Sequence, residues 1–193
     1  LYTLITSMFL HGGFMHLIGN MIYLYVFGPG VEVRLGKWRY LLFYILSGII
    51  ASLVHTSIVV LFGSTYSPFS HVRSPALVPC VGASGAISGV LGAYMILMPY
   101  KTVNVLTVLW PGIPVVIPLP AVIFLGLWFL YQLFMGMLSL ALPFPYFSGV
   151  AFWAHIGGFI GGMVLPKLVG RHVSRRKIYI DYAGRVWYEV PIK

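Results

Sequence analysis

The stretch LPAVIFLGLWFLYQLFMGML, residues 119–138, carries no charged side chain. It is long enough to cross a bilayer as one helix, which needs about 20 mainly apolar residues. The charge-free run extends outward in both directions. No Asp, Glu, Lys or Arg occurs between Lys101 and Lys167. The same holds from Tyr40 to Val72 and from Leu1 to Val31. Over the 193 residues, 60% are apolar and 8% are charged, against about 25% charged in an ordinary soluble domain. So little charge cannot wet a globular surface. A disordered chain is excluded too, because it requires low hydrophobicity. The composition predicts an all-α polytopic membrane protein. The chain begins with Leu1 and shows no signal-peptide pattern, so it reads as part of a longer sequence.

Clusters of Pro, Gly and Ser divide the apolar stretches into spans. Five transmembrane helices are expected, at 13–30, 39–62, 83–99, 119–138 and 151–169. The basic residues test this division. Arg34, Lys37 and Arg39 fall between the first two spans, and Lys101 between the third and fourth. Lys167, Arg171, Arg175, Arg176, Lys177, Arg185 and Lys193 lie at or beyond the last. With alternating spans all of these share one side, and only Arg73 falls on the other. Lys and Arg collect on the cytoplasmic side. The expected arrangement has a cytoplasmic C-terminus and Leu1 outside, in a plasma or inner membrane. The net charge of +9 is then a topology signal. The basic run at 171–177 is free to meet anionic lipid, and no nucleic-acid partner is expected.

The chain divides into a membrane domain, 1–170, and a basic cytoplasmic tail, 171–193. Residues 103–120 hold Pro111, Pro114, Pro118 and Pro120. They predict an irregular connection lying in the interface, with Trp110 at headgroup level. The tail alternates after Ile178 and has a turn signal at Gly184, which predicts a small hairpin.

Polar groups inside hydrocarbon cost free energy unless paired, so they are functional candidates by default. Three clusters stand out: His11-Gly12-Gly13-Phe14-Met15-His16 with Asn20, then Gly82-Ala83-Ser84-Gly85, then Ala154-His155-Ile156-Gly157-Gly158 with Gly161 and Gly162. Each lies near the start of an odd-numbered span. Those spans run in one direction, so all three clusters sit at similar depth, toward the outer face. His16 and Asn20 are four apart and share a helix face. Gly85 and Gly89 form a small-residue stripe, and Gly158 and Gly162 form another on the face of His155. Such stripes let membrane helices pack closely. Close packing of the third and fifth spans would put Ser84 beside His155.

A serine hydroxyl needs a base to become a nucleophile, and neutral imidazole is suited to that near pH 7. No acid lies in any span: Glu32, Asp181 and Glu189 all fall on the cytoplasmic side. A Ser–His dyad is therefore expected, not a triad. The oxyanion needs preorganised donors. The Ser84 N–H, the Asn20 amide and His16 are candidates, and Gly82 lets backbone approach the substrate closely. The same inventory removes rivals. There is no His-Glu-x-x-His for a zinc protease, and the only Asp is Asp181, so an aspartyl pair is impossible. No metal and no cofactor is expected. The soluble-hydrolase elbow Gly-x-Ser-x-Gly fails because residue 86 is Ala.

At these residues the sequence resembles the rhomboid family of intramembrane serine proteases. Gly82-Ala83-Ser84-Gly85 resembles the family's Gly-x-Ser-Gly nucleophile motif. Ala154-His155 with Gly158 and Gly162 resembles its final-helix histidine motif. His16 and Asn20 resemble its His-x-x-x-Asn pair, which helps to stabilise the oxyanion. Glu32-Val33-Arg34 and Gly36 resemble the segment after that helix. The resemblance covers roughly 1–170 and implies a rhomboid-like helical bundle with transmembrane protein substrates. It departs in two places. The family core has six helices, so the resemblance implies that the first is missing here. Many members also carry an aromatic four residues after the nucleophile, packed on the histidine. Here that residue is Ser88, so His155 is expected either to be held more loosely or to pack on another ring, such as Tyr94 or Phe152.

Each of these residues also has a structural reading. Ser84 and Ser88 suit helix packing, and the register with His155 and Asn20 favours Ser84 as the nucleophile and packing for Ser88. His11 reads as a loop or interface residue, His55 as structural, and His71 and His172 as solvated. Cys80 is the only cysteine, so no disulfide forms within the chain. Two other functions remain open. A non-catalytic relative would bind membrane clients without cleaving them. A channel would spread its polar residues through the membrane depth rather than gather them at one level. The sequence sets no oligomeric state.

Overall fold

A computed structural model describes residues 2–62, 82–141, 150–170, 178–180 and 186–188. A short helix, α1 (Thr3–Thr6), and a 3₁₀ turn (Ser7–Phe9) lead into α2 (Phe14–Leu35). Gly36, at φ +81°, turns the chain directly into α3 (Lys37–Phe62). That backbone conformation is open to glycine at no steric cost. Next come α4 (Ser84–Leu97), strands β1 (Thr102–Leu109) and β2 (Ile113–Pro120), then α5 (Ala121–Ala141) and α6 (Phe152–Val169). Strands β3 (Ile178–Ile180) and β4 (Val186–Tyr188) follow.

Four helices, α2, α3, α5 and α6, are long and apolar enough to cross a membrane. The fifth expected span is shorter. α4 has 14 residues, about 21 Å at 1.5 Å per residue, against a hydrocarbon core of about 30 Å. Its composition explains why it needs no lipid contact. Eleven of its residues are buried, and it packs against α2, α3, α5 and α6. It is the central post of the bundle. The outer faces of the surrounding helices stay exposed at Leu41, Leu53, Leu127, Leu130 and Phe134. In water that surface would drive aggregation; in a bilayer it meets acyl chains.

The core on the side away from α4's N-terminus is aromatic and aliphatic. Phe27, Val31, Leu35, Phe43, Leu91, Leu125 and Phe159 are buried together there. Phe129 stacks on Phe159 with ring centroids 4.6 Å apart, tying α5 to α6.

The purely helical expectation fails at residues 103–120. They form a regular antiparallel hairpin, not an irregular connection, with Thr102 opposite Pro120, Leu106 opposite Val116 and Leu109 opposite Ile113. The prolines explain both the misreading and the result. Pro114, Pro118 and Pro120 are separated by even numbers of residues. In an antiparallel pair, donor sites that face the partner strand alternate with sites that face outward. All three prolines therefore occupy sites of one kind, and in a two-stranded hairpin the outward row needs no donor. Proline forbids the interior of a helix but not this edge. Trp110, at the tip, is 96% exposed. The expected tail hairpin is present as β3 paired with β4, Ile178 opposite Tyr188. Its turn at Gly184 lies outside the described residues, as do Arg73, His71, His172, Cys80 and the basic run at 171–177.

Candidate active site

The first residue of α4, the third of α2 and the fourth of α6 are Ser84, His16 and His155. The fold brings these helix starts together. His155 Nε2 lies 2.9 Å from Ser84 Oγ, so residues 71 positions apart form one hydrogen bond across the α4–α6 contact. The distance is within the range for a good bond between nitrogen and a hydroxyl.

Glycine makes that contact possible. A Cβ on Gly158 would run into the carbonyl oxygen of Gly85, and one on Gly162 into that of Gly89. On α4, a Cβ at Gly85 would lie 2.6 Å from the Cβ of Ala51, and one at Gly89 would meet Ser47 of α3. α4 and α6 therefore touch backbone to backbone, with α3 close behind. A side chain at Gly158 or Gly162 would push α6 from α4, and with it His155 from Ser84, while one at Gly85 or Gly89 would push α4 from α3.

Gly82 holds the other wall. Its φ of +121° belongs to a region that L side chains rarely adopt. A Cβ there would come within 2.7 Å of His16 Cε1. Its N–H donates to the carbonyl of Ser7 at 2.9 Å, which anchors the N-terminal turn to the loop before α4. His16 and Asn20 both flank this glycine, with Asn20 Nδ2 3.8 Å from the same Cβ position. Asn20 is buried, and its Nδ2 has no hydrogen-bond partner among the described residues. An unpaired buried donor is costly. The backbone adds to this. The first amides of α4 have no acceptor within the helix and carry its positive dipole end. His11 packs edge-on against His16 with centroids 5.4 Å apart, so it supports the His16 ring.

Ser88, the rival hydroxyl, is 2% exposed and donates back to the Ser84 carbonyl at 2.7 Å. Its bonding is satisfied within α4. Tyr94 does not take the place of the missing aromatic: it packs edge-on against Phe27 at 5.0 Å. The indole of Trp128, from α5, lies against the His155 ring with centroids 6.0 Å apart. One turn later, Gln132 Oε1 lies 2.9 Å from His155 Nδ1. Reading the sequence missed both residues. The signal for Gln132 was present, since it is a polar side chain inside an apolar span. A groove of about 450 Å³ adjoins this region, between α2, α3 and the N-terminal turn; its wall is mainly apolar, with Met8, Leu17, Met21 and Leu24, and reaches His11 and Ala83.

The fold and the site together define a helical membrane protein with a half-buried hydroxyl–imidazole pair among converging helix starts. The family model described as "Rhomboid domain" matches residues 1–172. The chain belongs to the rhomboid family. It is similar to Rhomboid protease AarA of Providencia stuartii, 33% identical over 167 residues, covering 82% of this chain and 52% of that protein. It is similar to Rhomboid protein 1, mitochondrial, of Saccharomyces cerevisiae, 29% identical over 189 residues, 96% of this chain and 47% of the relative. It is also similar to Rhomboid protease GluP of Bacillus subtilis, 30% identical over 169 residues, 88% and 26% respectively. The chain thus spans about half the length of these relatives, or less.

Proposed function

We propose that this chain is an intramembrane serine endopeptidase that cleaves transmembrane-anchored proteins near the outer face of the membrane. The observation that carries this reading is the 2.9 Å bond from Ser84 Oγ to His155 Nε2, closed in the resting fold. Ser84 is the nucleophile. Its oxygen attacks the scissile carbonyl carbon while its proton passes to Nε2. The carbonyl π electrons move to oxygen and form an oxyanion. The Ser84 amide, Asn20 Nδ2 and His16 are placed to donate to it. The tetrahedral intermediate collapses by breaking the C–N bond, and His155 returns the proton to the leaving amine. Water, deprotonated by the same nitrogen, then hydrolyses the acyl ester and restores Ser84.

The depth of the site supports a membrane substrate. With its C-terminal end at the cytoplasmic surface, a helix as short as α4 would hold its first residue, Ser84, below the outer headgroups. A substrate helix must unwind to offer a carbonyl there, and water must enter with it. A movable cap would be expected of the apolar segment 140–150 from its sequence, and its residues 142–149 lie outside the described residues. The basic residues give a cytoplasmic C-terminus, with 171–193 as a tail beyond the membrane domain. The membrane of residence is proposed as the plasma or inner membrane.

A serine-directed fluorophosphonate tests the reading. Incubated with the protein in detergent or nanodiscs, it is expected to label Ser84 and no other serine, and to block cleavage of a model transmembrane substrate. Absence of both labelling and cleavage would favour a non-catalytic client-binding relative. The oxyanion assignment has its own test. Asn20→Ala removes one donor and is expected to lower kcat by roughly 10²- to 10³-fold, with KM little changed. An equal rise in KM with kcat intact would mean that Asn20 only binds ground-state substrate.

A further inference from the structure

The dyad reading assigns a serine and a histidine and gives no role to the far nitrogen of the imidazole. In this chain it is occupied. We propose that Gln132 is a positioning residue that holds His155 as the Nδ1–H tautomer and so leaves Nε2 free to accept the Ser84 proton. The inference rests on the protease reading for its catalytic consequence.

The geometry is that of a three-residue relay. Gln132 Oε1 lies 2.9 Å from Nδ1 and Ser84 Oγ lies 2.9 Å from Nε2. A neutral imidazole carries one proton, and the partner of one nitrogen decides which. An amide oxygen only accepts. The bond to Oε1 therefore puts the proton on Nδ1 and the lone pair on Nε2. An amide turned the other way would donate to Nδ1 and hold the proton on Nε2, where it could not receive one from Ser84.

α5 is built to deliver this bond. Trp128, Gln132 and Gly136 are spaced four apart and share one helix face. Trp128 lies against the His155 ring and against Phe159, at 5.7 Å between centroids in the second case. Gly136 brings the helix in close, since a Cβ there would lie 3.0 Å from Ile156 Cδ1. Gln132, between them, is 4% exposed and aimed at the imidazole. Soluble triads orient their histidine with a carboxylate. An ionised acid at this depth would be expensive to desolvate. An amide orients the ring without burying a charge. Among the described residues, the titratable groups interacting with His155 are His16 of α2 and His55 of α3, and neither is an acid.

The test reads tautomer and turnover separately. Nitrogen-15 NMR of the histidine side chains, on the full chain in nanodiscs above the titration of His155, is expected to show Nδ1 protonated and Nε2 bare. Gln132→Leu is expected to lose that preference. It is also expected to lower kcat by roughly 10- to 100-fold, the scale of a lost buried hydrogen bond and a misaligned base, with KM within about twofold. A wild-type imidazole protonated on Nε2 overturns the inference, whether or not the variant folds. So does a folded Gln132→Leu protein that keeps its turnover, or that loses turnover with the tautomer unchanged. Failure of the wild-type protein to cleave or to label at Ser84 would sink the protease reading instead, and the tautomer measurement would still stand or fall alone.

Discussion

Replacement of Ser84 by alanine is expected to lower cleavage of a transmembrane substrate by roughly 10⁴- to 10⁶-fold, and His155→Ala to reach the same floor. The double variant is expected to be no worse than either single one. Nucleophile and base act as a unit, so removing one disables the other. What remains comes from the oxyanion donors and from substrate binding, which both variants keep. The fold should tolerate Ser84→Ala. The Ser84 side chain bonds His155, while Ser88 is satisfied by the backbone carbonyl of residue 84, which alanine retains. The measurement is initial rate of product formation in proteoliposomes, beside a thermal melt of each variant. A Ser84→Ala protein that melts normally and keeps more than a few per cent of the rate would end the Ser84 mechanism. Additive losses would point to two separate roles.

The second large effect concerns stability. Gly162→Ala is expected to cost about 3 kcal/mol or more, at the upper end of overpacking penalties, and Gly162→Leu is expected to prevent folding. The reason is the nature of the atoms met. A Cβ at 162 runs into the carbonyl, Cα and carbonyl carbon of Gly89. These are backbone atoms of a fully helical segment, so no rotamer can move aside. Relief requires α6 to shift from α4, which also opens the bond between His155 and Ser84. Activity should therefore fall before global unfolding is reached. Gly126 of α5 is the control, because a Cβ there meets nothing within 4 Å. Gly126→Ala should be neutral or slightly stabilising, through the better helix propensity of alanine. Unfolding in mixed micelles measures both variants. Equal melting of the two would show that the α4–α6 contact is looser than its geometry requires.

Much of this molecule follows from local pattern. Four spans are visible as apolar runs, and their ends fall within a few residues of the helices that form. Lipid excludes unpaired backbone polar groups, so a long apolar run has few options besides a helix. The site was legible for a related reason. Polar residues are rare in such runs, and His16, Asn20, Ser84 and His155 each lie near the start of a helix running in the same direction. The hairpin was not legible from proline content, because the same residue blocks a helix and suits an outward-facing strand site. Only the pairing of Thr102 with Pro120, and its even-numbered spacing to Pro118 and Pro114, decides between them.

The environment of His155 shows where sequence reading stops. The sequence alone determined that the chain lives in a membrane, which residues are candidates for a nucleophile, a base and an oxyanion donor, and that no acid lies within the apolar runs 40–72 and 102–166. Those are properties of composition and of one helix at a time. The tertiary structure decided that α4 is a short central post rather than a full span. It also decided that Trp128, not Tyr94, lies against the imidazole, and that Gln132 faces its far nitrogen. These facts depend on how far α5 is rotated and how closely it approaches α6. That is set by contacts such as Gly136 with Ile156 and Phe129 with Phe159, between residues about 20 to 30 positions apart. No periodicity within either helix contains that information.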